Sequence, residues 1–593
     1  MSITGHSRVS NNGRPTLSAC MIVKNEEYFL PQCLKSIKDA VDEIIIVDTG
    51  STDKTVDIAQ SFGARVHHHP WKNNFSEARN HSLDYATGDW ILQIDADEAL
   101  EQADIPLLHK LITADSYNVI FVAIYSELPG GQAKHYFQRI FRRGKAHFEG
   151  IVHNQLIFEG KALQSKIRLY HYGYNLSEFE MQKKYKRTGD LLRQQLAENP
   201  NNIFVMANLI RNYRNEYNFE KVIELGEKGL NISISQTDLV SKIQRQRISI
   251  DLTHALLNTN QVDRAEEVCK KALEENPDSF DVLLVLGEIL LKKRAFSNAL
   301  NYFKKYLVLK EKENKDPSFK VLSADFYYYE HGAYNNIGEC YKHLGLICEA
   351  EIAYKKAIEL NNKEPLYYSN LAQLYISQNR FEEAENIADT AVKRGIANHL
   401  TYLLLGKAYS SRRRYNDAIN AFRQSIHIDS KNVSAHIYFI NLLIQTNQFT
   451  QAEKTLKEII PSYPDNLRLK CLSEKIKYKQ GNRESATQFI QNILKSNIID
   501  SDIYLDLGDL CMDMELYTTA IELWERYFNI FPADATVVAN IATCYARLGK
   551  LESAKFGFQA ALKIDPGCNY AIQNLAALSK LENKGYVNIG NDA

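Results

Sequence analysis

The sequence has no feature of a disulfide-rich, membrane-spanning or nucleic-acid-binding protein. Its nine cysteines include no Cys-x-x-Cys pair, and most fall in apolar helical patterns, which favours reduced core thiols over a disulfide framework or a zinc site. No run of about 18 or more apolar residues occurs, so no transmembrane helix is predicted. The segment MSITGHSRVSNNGRPT contains no apolar signal-peptide core, and a net charge of −1 gives no bulk attraction to nucleic acid or an acidic membrane. We therefore expect a cytoplasmic protein.

The length and the periodicity of the chain divide it into parts. A chain of 593 residues is too long for one hydrophobic core, so several domains or a repeat array are expected. Strand and helix patterns alternate up to about residue 185, and from there the pattern is helical with a period of 34 residues. We predict a disordered tail over 1–15, an α/β domain over 16–185, a helical array over 186–582 and a loose tail over 583–593.

The first half of the α/β domain alternates apolar runs with helical spacing. The runs Leu17–Val23, Glu43–Val47 and Trp90–Ile94 predict buried strands, and the segments between them predict helices. This alternation predicts a parallel, doubly wound sheet, in which ligands bind beyond the carboxyl ends of the strands. A polar segment follows each of these three strands: Lys24–Glu26, Asp48–Asp53 and Asp95–Asp97. We expect the three segments to converge on one edge of the sheet.

The second half of the domain has a different spacing. The segments Tyr117–Tyr125 and His135–Arg142 alternate like antiparallel strands, with a predicted turn at Pro129-Gly130-Gly131. Another predicted strand, Ile167–Tyr174, contains His171. The sheet is therefore predicted to be mixed.

Asp95 and Asp97 stand at positions i and i+2 where a predicted strand ends, so both can face the same side. Two carboxylates this close repel each other, and a divalent cation carrying phosphate oxygens would relieve the repulsion. The alternative is a solvated strand-to-helix turn, in which Asp97 and Glu98 are the first acids of a helix.

Four motifs follow one another along the α/β domain: ACMIVKNEE, DEIIIVDTGSTDKT, FSEARN and ATGDWILQIDADE. In this order and spacing they resemble family 2 glycosyltransferases of the GT-A fold, over roughly the first 185 residues. The resemblance implies an inverting transferase that uses a nucleotide-diphosphate sugar and binds its acceptor with the second half of the domain, the acceptor half. It also implies that Asp48 accepts from the base, that Val23, Asn25 and Glu26 line the nucleoside, and that Asp95 faces the ribose or the sugar.

The same resemblance implies a divalent cation, Mn²⁺ or Mg²⁺, held by Asp97 of a DxD motif. His171 resembles the late histidine that completes the metal site in related enzymes, and its alternative role is that of a core histidine bonded to backbone. Arg79 is predicted to bind a phosphate or a carboxylate through its guanidinium fork, and the alternative is an ion pair with Asp84 or Glu77.

The sequence leaves the identity of the catalytic base open. Relatives often have His-Glu where this chain has His153-Asn154, and an inverting enzyme needs a carboxylate or a histidine to deprotonate a hydroxyl acceptor. Asparagine cannot do this. Three alternatives therefore stay open: Glu149 or His153 is the base, the acceptor ionises easily, or the activity is weak.

The helical part of the chain has small residues at a fixed spacing of 34: Ala265 and Ala299, then Ala350, Ala384, Ala418, Ala452, Ala486, Ala520 and Ala554. This pattern resembles tetratricopeptide repeats, with about ten units, an insertion around Glu311–Ser323 and a capping helix at Tyr570–Leu581. The predicted fold is thus a GT-A-type α/β domain with a doubly wound mixed sheet, followed by an all-α superhelical solenoid.

Two functions are compatible with this organisation. In the first, the transferase acts on a peptide, a protein or a cell-surface glycan, since its motifs are similar both to lipopolysaccharide-core glucosyltransferases and to sublancin-type peptide S-glycosyltransferases. The array then recruits the acceptor or pairs two copies of the chain into a homo-oligomer. In the second, the chain is a repeat scaffold for protein–protein interaction that carries an inactive transferase domain.

Overall fold

The computed structural model describes residues 14–128, 131–152, 154–173, 178–233, 239–316, 329–495 and 501–583. The chain divides into two compact units, Met1–Asn362 and Lys363–Ala593. The first unit holds the whole sheet and the first helices of the array, and the described residues of the second unit are helical. A boundary at residue 185 stays a prediction. So do the two tails, because residues 1–13 and 584–593 lie outside the described residues.

The first unit contains an eight-stranded sheet and a two-stranded one. The larger sheet has the order β3-β2-β1-β4-β7-β6-β10-β5, and β8 pairs with β9 in the smaller one. The strands are β1 Leu17–Val23, β2 Glu43–Asp48, β3 Arg65–His68, β4 Trp90–Gln93, β5 Glu98–Leu100, β6 Val119–Leu128, β7 Gly131–Arg142, β8 Ala146–Glu149, β9 Gln155–Phe158 and β10 Ala162–His171. The helices between them are α1 Leu30–Ile37, α2 Thr55–Ser61, α3 Phe75–Asp84 and α4 Ile105–Ile112.

The strands β1 to β4 form the parallel part of the sheet. In the register of β1 and β2, Val23 lies opposite Asp48, and in that of β1 and β4, Cys20 lies opposite Gln93. The carboxyl ends of these strands therefore meet at one edge, where the three polar segments follow them. Side chains such as Leu17 and Trp90, both 0% exposed, fill the core between sheet and helices. Burying each such side chain contributes about 1.5–3 kcal/mol, which fixes the strand ends in place.

The second part of the sheet is mixed, because β7 runs antiparallel to both β4 and β6, and β10 runs parallel to β6. Glu98 begins a short strand, β5, that pairs antiparallel with β10 and places Glu98 opposite His171. The alternative in which Asp97 and Glu98 begin a helix is therefore wrong. Three residues are too few to show a strand period, and the partner strand lies some 70 residues further along the chain. The predicted turn at Pro129-Gly130 lies outside the described residues.

Helices occupy the described residues after the sheet. A long helix, α5 Glu178–Glu198, is followed by ten pairs in the described part of the chain. Their bounds are α6 Ile203–Asn215 and α7 Phe219–Ser233; α8 Leu239–Asn258 and α9 Val262–Glu275; α10 Phe280–Lys292 and α11 Phe296–Lys315; α12 Glu330–His343 and α13 Ile347–Leu360; α14 Pro365–Ser377 and α15 Phe381–Lys393; α16 His399–Ser411 and α17 Tyr415–Ile428; α18 Val433–Gln445 and α19 Phe449–Ile459; α20 Leu467–Lys479 and α21 Arg483–Leu494; α22 Ser501–Asp513 and α23 Tyr517–Phe528; α24 Ala535–Arg547 and α25 Leu551–Ile564. Helix α26, Asn569–Asn583, ends the described chain.

A mixed sheet followed by helix pairs confirms the predicted fold class. Among the described residues, no helix is both long enough and apolar enough to cross a membrane. The small residues spaced by 34 are buried in the second helix of their pairs, and each is at most 1% exposed: Ala265, Ala299, Ala350, Ala384, Ala418, Ala452, Ala486, Ala520 and Ala554.

In four of the described helix pairs, the helices approach closely because a glycine of the first helix faces an aromatic ring of the second. A Cβ atom added to Gly406 would come within 2.5 Å of Phe422, and one added to Gly338 would come within 2.7 Å of Tyr354. The aromatic ring thus occupies the space that a side chain would need. Small residues and rings at these repeated positions therefore determine the packing within each pair.

We expect Ala418→Trp to destabilise the helix array by about 1–3 kcal/mol, because a large ring would overpack a position that is 0% exposed. Asn420→Trp, at an exposed position of the same helix, is the matched control and should leave the melting curve nearly unchanged. Thermal melts of the full chain by circular dichroism measure the difference, and titration with a nucleotide-diphosphate sugar should give the same affinity for both variants. Equal melting temperatures for the two variants would show that Ala418 is not a packing position.

Within the first unit, the first array helices pack against the second part of the sheet domain. Val152 contacts an apolar cluster that includes Leu192 of α5 and Leu209 of α6. Lys134 of β7 forms an ion pair with Glu313 of α11, with 3.3 Å between Nζ and Oε1, and both side chains are at most 10% exposed. These contacts join the array to the β6–β7 hairpin and to the segment that follows β8.

Candidate active site

Asp48 lies at the carboxyl end of β2, where the chain turns, and its side chain is 4% exposed. Its carboxylate accepts hydrogen bonds from the backbone N–H of Gly50 at 3.3 Å and of Ser51 at 3.0 Å, and the Nδ1 atom of His68 is 3.1 Å from its Oδ2. Burial would raise the pKa of Asp48, but the hydrogen bonds from Ser51, His68 and Gly50 outweigh burial and lower it. The side chain is therefore a fixed anion at the sheet edge.

The segment after β1 is bound to the turn after β2. The Asn25 backbone has φ 57°, and its side-chain Oδ1 accepts a hydrogen bond from the N–H of Thr52 at 2.7 Å. The N–H of Glu26 donates to the hydroxyl oxygen of Thr55 at 2.7 Å. Val23 is only 3% exposed and packs in the core, so any contact between Val23 and a nucleoside would involve its backbone. The loops of the first two sequence motifs, which follow β1 and β2, are thus bound to each other. The nucleoside roles of these residues stay predictions.

The FSEARN motif occupies the start of α3 and fixes the segment that follows β8. The hydroxyl of Ser76 donates to the carbonyl of Gly150 at 2.5 Å. Asn80 makes two hydrogen bonds with the backbone of Phe148, one donated by its Nδ2 at 2.9 Å and one accepted by its Oδ1 at 2.7 Å. The motif therefore ties α3 to the second half of the domain, a role that its sequence alone did not indicate.

Arg79 lies between these two residues on α3 and joins two elements of the site. Its Nη2 donates to Oδ1 of Asp95 at 2.7 Å, and its Nη1 donates to Oδ1 of Asn154 at 2.9 Å. The sequence predicted a phosphate or a carboxylate as the partner of Arg79 without identifying the residue, and in the structure this partner is Asp95. Glu77, one of the alternative partners, pairs with Lys72 instead. Asn154, at the position where relatives often have glutamate, thus accepts a hydrogen bond from the arginine that holds Asp95.

Arg139 of β7 is a site residue that sequence reasoning missed. Its Nη2 donates to Oδ2 of Asp95 at 2.9 Å and to Oε1 of Glu98 at 2.6 Å, and its Nη1 donates to Oε1 of Gln93. Burial would raise the pKa of Asp95, but Arg79 and Arg139 outweigh it and lower the pKa. The available signal was an arginine in the middle of an apolar strand, HYFQRIFR, where a charge needs a buried partner.

Asp97 and His171, the two residues predicted to hold a metal, lie side by side. The Nε2 atom of His171 is 3.2 Å from Oδ2 of Asp97, and the N–H of Tyr172 donates to the backbone carbonyl of Asp97 at 2.9 Å. Burial would lower the pKa of His171, but the hydrogen bond and charge of Asp97 outweigh burial and raise it. A Cβ atom added to Gly173 would lie 1.9 Å from Oδ2 of Asp97, so any other residue there would displace the Asp97 carboxylate.

The donor atoms at this point fit a cation that arrives with a diphosphate. Among the described residues, no group of three or more His, Cys, Asp or Glu is arranged to hold a metal ion. Asp97 and His171 nevertheless converge, and Asp97 is 24% exposed, while both oxygens of Asp95 are bound by arginines. Because Mg²⁺-like ions bind one or two carboxylates and complete their shell with phosphate oxygens, two protein ligands are enough for such an ion.

The two residues predicted as the catalytic base have different outcomes. Glu149 ends β8 with its side chain 63% exposed, and its Oε1 is 3.0 Å from Nε2 of His147. His153 lies outside the described residues. The role of either residue as the base therefore stays a prediction.

Comparison with known protein families gives different matches for the sheet-bearing residues and for the helical residues that follow. The sequence model described as "Glycosyl transferase family 2" matches residues 18–173. Models described as "Tetratricopeptide repeat" match residues 250–314, 331–364, 369–432, 411–476 and 535–568. The first match covers the four motifs and every candidate site residue named above.

Several curated proteins are similar to part of this chain. A TPR repeat-containing protein of Synechococcus elongatus is 35% identical over 32% of this chain and 51% of its own length. The SPbeta prophage-derived glycosyltransferase SunS of Bacillus subtilis is 34% identical over 32% of this chain and 47% of its own length. The lipopolysaccharide core biosynthesis glycosyltransferase LpsC of Rhizobium meliloti is 32% identical over 24% of this chain and 58% of its own length. The chain thus spans about half the length of the curated relatives that it matches.

Two solved structures align with part of the chain at low similarity. A tetratricopeptide repeat protein of Parabacteroides merdae aligns with a TM-score of 0.35 and 16% identity, over 51% of this chain and 98% of its own. Yeast Tom70 aligns with a TM-score of 0.34 and 16% identity, over 69% of this chain and 94% of its own.

Proposed function

We propose that this chain, whose residues 18–173 form a family 2 glycosyltransferase domain followed by tetratricopeptide repeats, is an inverting glycosyltransferase. It moves a sugar from a nucleotide-diphosphate sugar to an acceptor. The observation that carries the proposal is the set of carboxylates at one sheet edge: Asp48 is fixed in its turn, Asp95 is neutralised by two arginines, and Asp97 is partly exposed beside His171.

The three carboxylates are suited to three tasks in donor binding. Asp48 is an acceptor for the base, Asp95 faces hydroxyl groups of the ribose or sugar, and Asp97 with His171 holds the divalent cation. When bound, that cation would supply positive charge to the departing diphosphate. The arginines on Asp95 keep its carboxylate ionised and in one orientation, since each takes one of its oxygens.

The acceptor is a peptide, a protein or a cell-surface glycan, and its deprotonation needs a base. Asn154 cannot be that base, and its Oδ1 is already bound to Arg79. Glu149 and His153 are the proposed alternatives, and an acceptor that ionises easily would need neither. Of these two residues, Glu149 is the one that the structure describes, and its exposed carboxylate at the end of β8 is accessible to an acceptor.

The array has a supporting role in this proposal. Helices α5 and α6 pack against Val152, two residues from the asparagine that binds Arg79. The array therefore stabilises the acceptor half of the domain, and we propose that it also recruits the acceptor or pairs two copies of the chain. Mass spectrometry of the glycans and proteins of the host, with and without this chain, would identify the acceptor.

The test of the donor reaction is the release of nucleoside diphosphate by the full chain from UDP-glucose, UDP-N-acetylglucosamine and GDP-mannose in the presence of Mn²⁺. We expect release from at least one donor. Asp48→Asn should raise the KM for that donor more than it lowers kcat, because Asp48 contacts the base and not the reacting bond. Asp42→Asn is the matched control, because Asp42 lies just before β2, at the opposite end of that strand from Asp48, where it binds Arg14 and the N–H of Leu17. No release and no nucleotide binding would favour the scaffold with an inactive transferase domain.

A further inference from the structure

Arg139 occupies an irregular position in its strand. In the register of β6 and β7, Ile120 lies opposite Ile140 and the next residue, Phe121, lies opposite Gln138. Arg139 therefore has no opposing residue on β6 and is the extra residue of a β-bulge. On its other side, the pairing of β7 with β4 ends at Ile140, next to Arg139. Bulges are common beside active sites, where they direct a side chain away from the regular pleat.

The bulge directs the guanidinium of Arg139 to the end of β4. There it donates to Gln93, to Asp95 at 2.9 Å and to Glu98 at 2.6 Å. Glu98 is 2% exposed, and its second oxygen accepts from the backbone N–H of Asp95 at 3.0 Å. Glu98 thus holds both Arg139 and the backbone of Asp95, so the three residues form a closed set of hydrogen bonds.

The charges in this cluster balance. The carboxylates of Asp95, which is partly exposed, and Glu98, which is buried, lie against two guanidinium groups, those of Arg79 and Arg139. Asp97 is outside this balance and is paired with His171. Without Arg139, the buried carboxylate of Glu98 would lose the guanidinium that its Oε1 binds, and Asp95 would lose one of the two arginines that orient it.

We propose that Arg139 is a positioning residue for glycosyl transfer: from its bulge it holds the Asp95 carboxylate in the orientation that receives the donor's hydroxyl groups, with Glu98 as its buried counter-ion. This inference rests on the proposed function, because it concerns how the donor is placed. Asp95 accepts hydrogen bonds from the two arginines through different carboxylate oxygens, so a rotation of its carboxylate would break at least one of them. The cluster therefore fixes Asp95 before a donor binds.

The test compares Arg139→Met and Arg139→Lys with Arg142→Met in the full chain. Arg142 is on the same strand, but it binds Asp115 and backbone carbonyls away from the site, so its variant measures only lost packing and hydrogen bonding. The donor is whichever of the three sugar nucleotides the parent hydrolyses, and the readouts are kcat, KM, the Kd of the nucleoside diphosphate by calorimetry, and the melting temperature. We expect Arg139→Met to lower kcat by about 100-fold through misplacement of the donor, with a smaller change in KM, because Asp48 still binds the base.

Arg139→Lys should recover part of kcat, because lysine restores the charge without the two-pronged guanidinium geometry. The double variant Arg139→Met with Glu98→Gln separates positioning from stability. Removing the unpaired buried carboxylate should restore the melting temperature and leave kcat low.

Two results would overturn the inference while the proposed function stands. The first is that Arg139→Met has the same kcat as Arg142→Met. The second is that the double variant has the parental kcat, which would show that Arg139 serves only as a counter-ion of Glu98. A parent that hydrolyses none of the donors and binds neither UDP nor GDP would overturn the proposed function and this inference with it.

Discussion

Replacing Asp97 by asparagine is expected to lower turnover of the nucleotide-diphosphate sugar by about 100-fold or more, with the fold kept. Asparagine has nearly the same shape as aspartate but carries no negative charge. The Asp97 side chain is 24% exposed, its Oδ2 is 3.2 Å from His171, and neighbouring Asp95 is already paired with Arg79 and Arg139. Among the described residues beside Asp97, no other carboxylate is therefore available to hold a cation at the diphosphate.

The measurement is calorimetric titration of the donor with Mn²⁺, with Mg²⁺ and with a chelator, combined with turnover on the same samples. The chelator should weaken donor binding by the parent more than by Asp97→Asn, because the variant has already lost most of its affinity for the cation. Asp57→Asn, an equivalent exchange at an exposed position of α2, is the matched control and should behave like the parent. His171→Ala should fall between the two if His171 is a ligand, and should mainly lower the melting temperature if it is a core histidine. The metal mechanism is wrong if the parent binds the donor equally well with the cation and with the chelator and if Asp97→Asn keeps full turnover.

Gly173→Ala is expected to lower turnover by about 100-fold without removing any functional group, because a displacement of about 1 Å at a reacting centre can have this effect. The added methyl carbon would lie 1.9 Å from Oδ2 of Asp97 and 3.1 Å from Nε2 of His171. The backbone cannot easily move away, since the N–H of Tyr172 donates to the carbonyl of Asp97 at 2.9 Å. The Asp97 side chain must therefore rotate out of its place.

A double-variant cycle identifies the cause of that loss. If the methyl group acts by displacing Asp97, then Gly173→Ala should have almost no further effect in an Asp97→Ala background, and the two losses will not add. Gly226→Ala in α7 is the control, because its methyl carbon would meet Leu252 at 3.3 Å, far along the chain from the carboxylate motif. Turnover is measured with the donor that the parent hydrolyses. Full additivity of the two substitutions would show that Gly173 acts elsewhere.

The parallel strands and the repeats could be predicted from the sequence because each has a local period. The strand Leu17–Val23 was predicted with its observed bounds, since an apolar run next to a polar segment needs no information from distant residues. The positions of Asp48, Asp95 and Asp97 at one sheet edge follow from the same pattern and the rule that parallel strands end together. The buried alanines follow from their spacing of 34 residues.

The partners of these carboxylates could not be predicted in the same way, because they depend on pairings between distant segments. Arg139 reaches Asp95 through a bulge that exists only when β7 lies between β4 and β6. Glu98 begins a strand because it pairs with His171 of β10, which lies 73 residues later in the chain. No local period marks either feature, so composition and spacing carry no signal for them.

The sequence by itself therefore determined the kind of domain, the repeat array and the carboxylates that belong to the candidate site, because these depend on local periodicity and on motifs. Only the tertiary structure decided the state of each carboxylate. In the structure, Asp95 is bound to two arginines, Asp97 lies beside His171 where a side chain at position 173 would displace it, and Asn154 accepts a hydrogen bond from Arg79. The physical reason is that a buried charge is stabilised by whichever partner the fold brings within hydrogen-bond distance, and that partner is set by strand order and register rather than by neighbours in sequence.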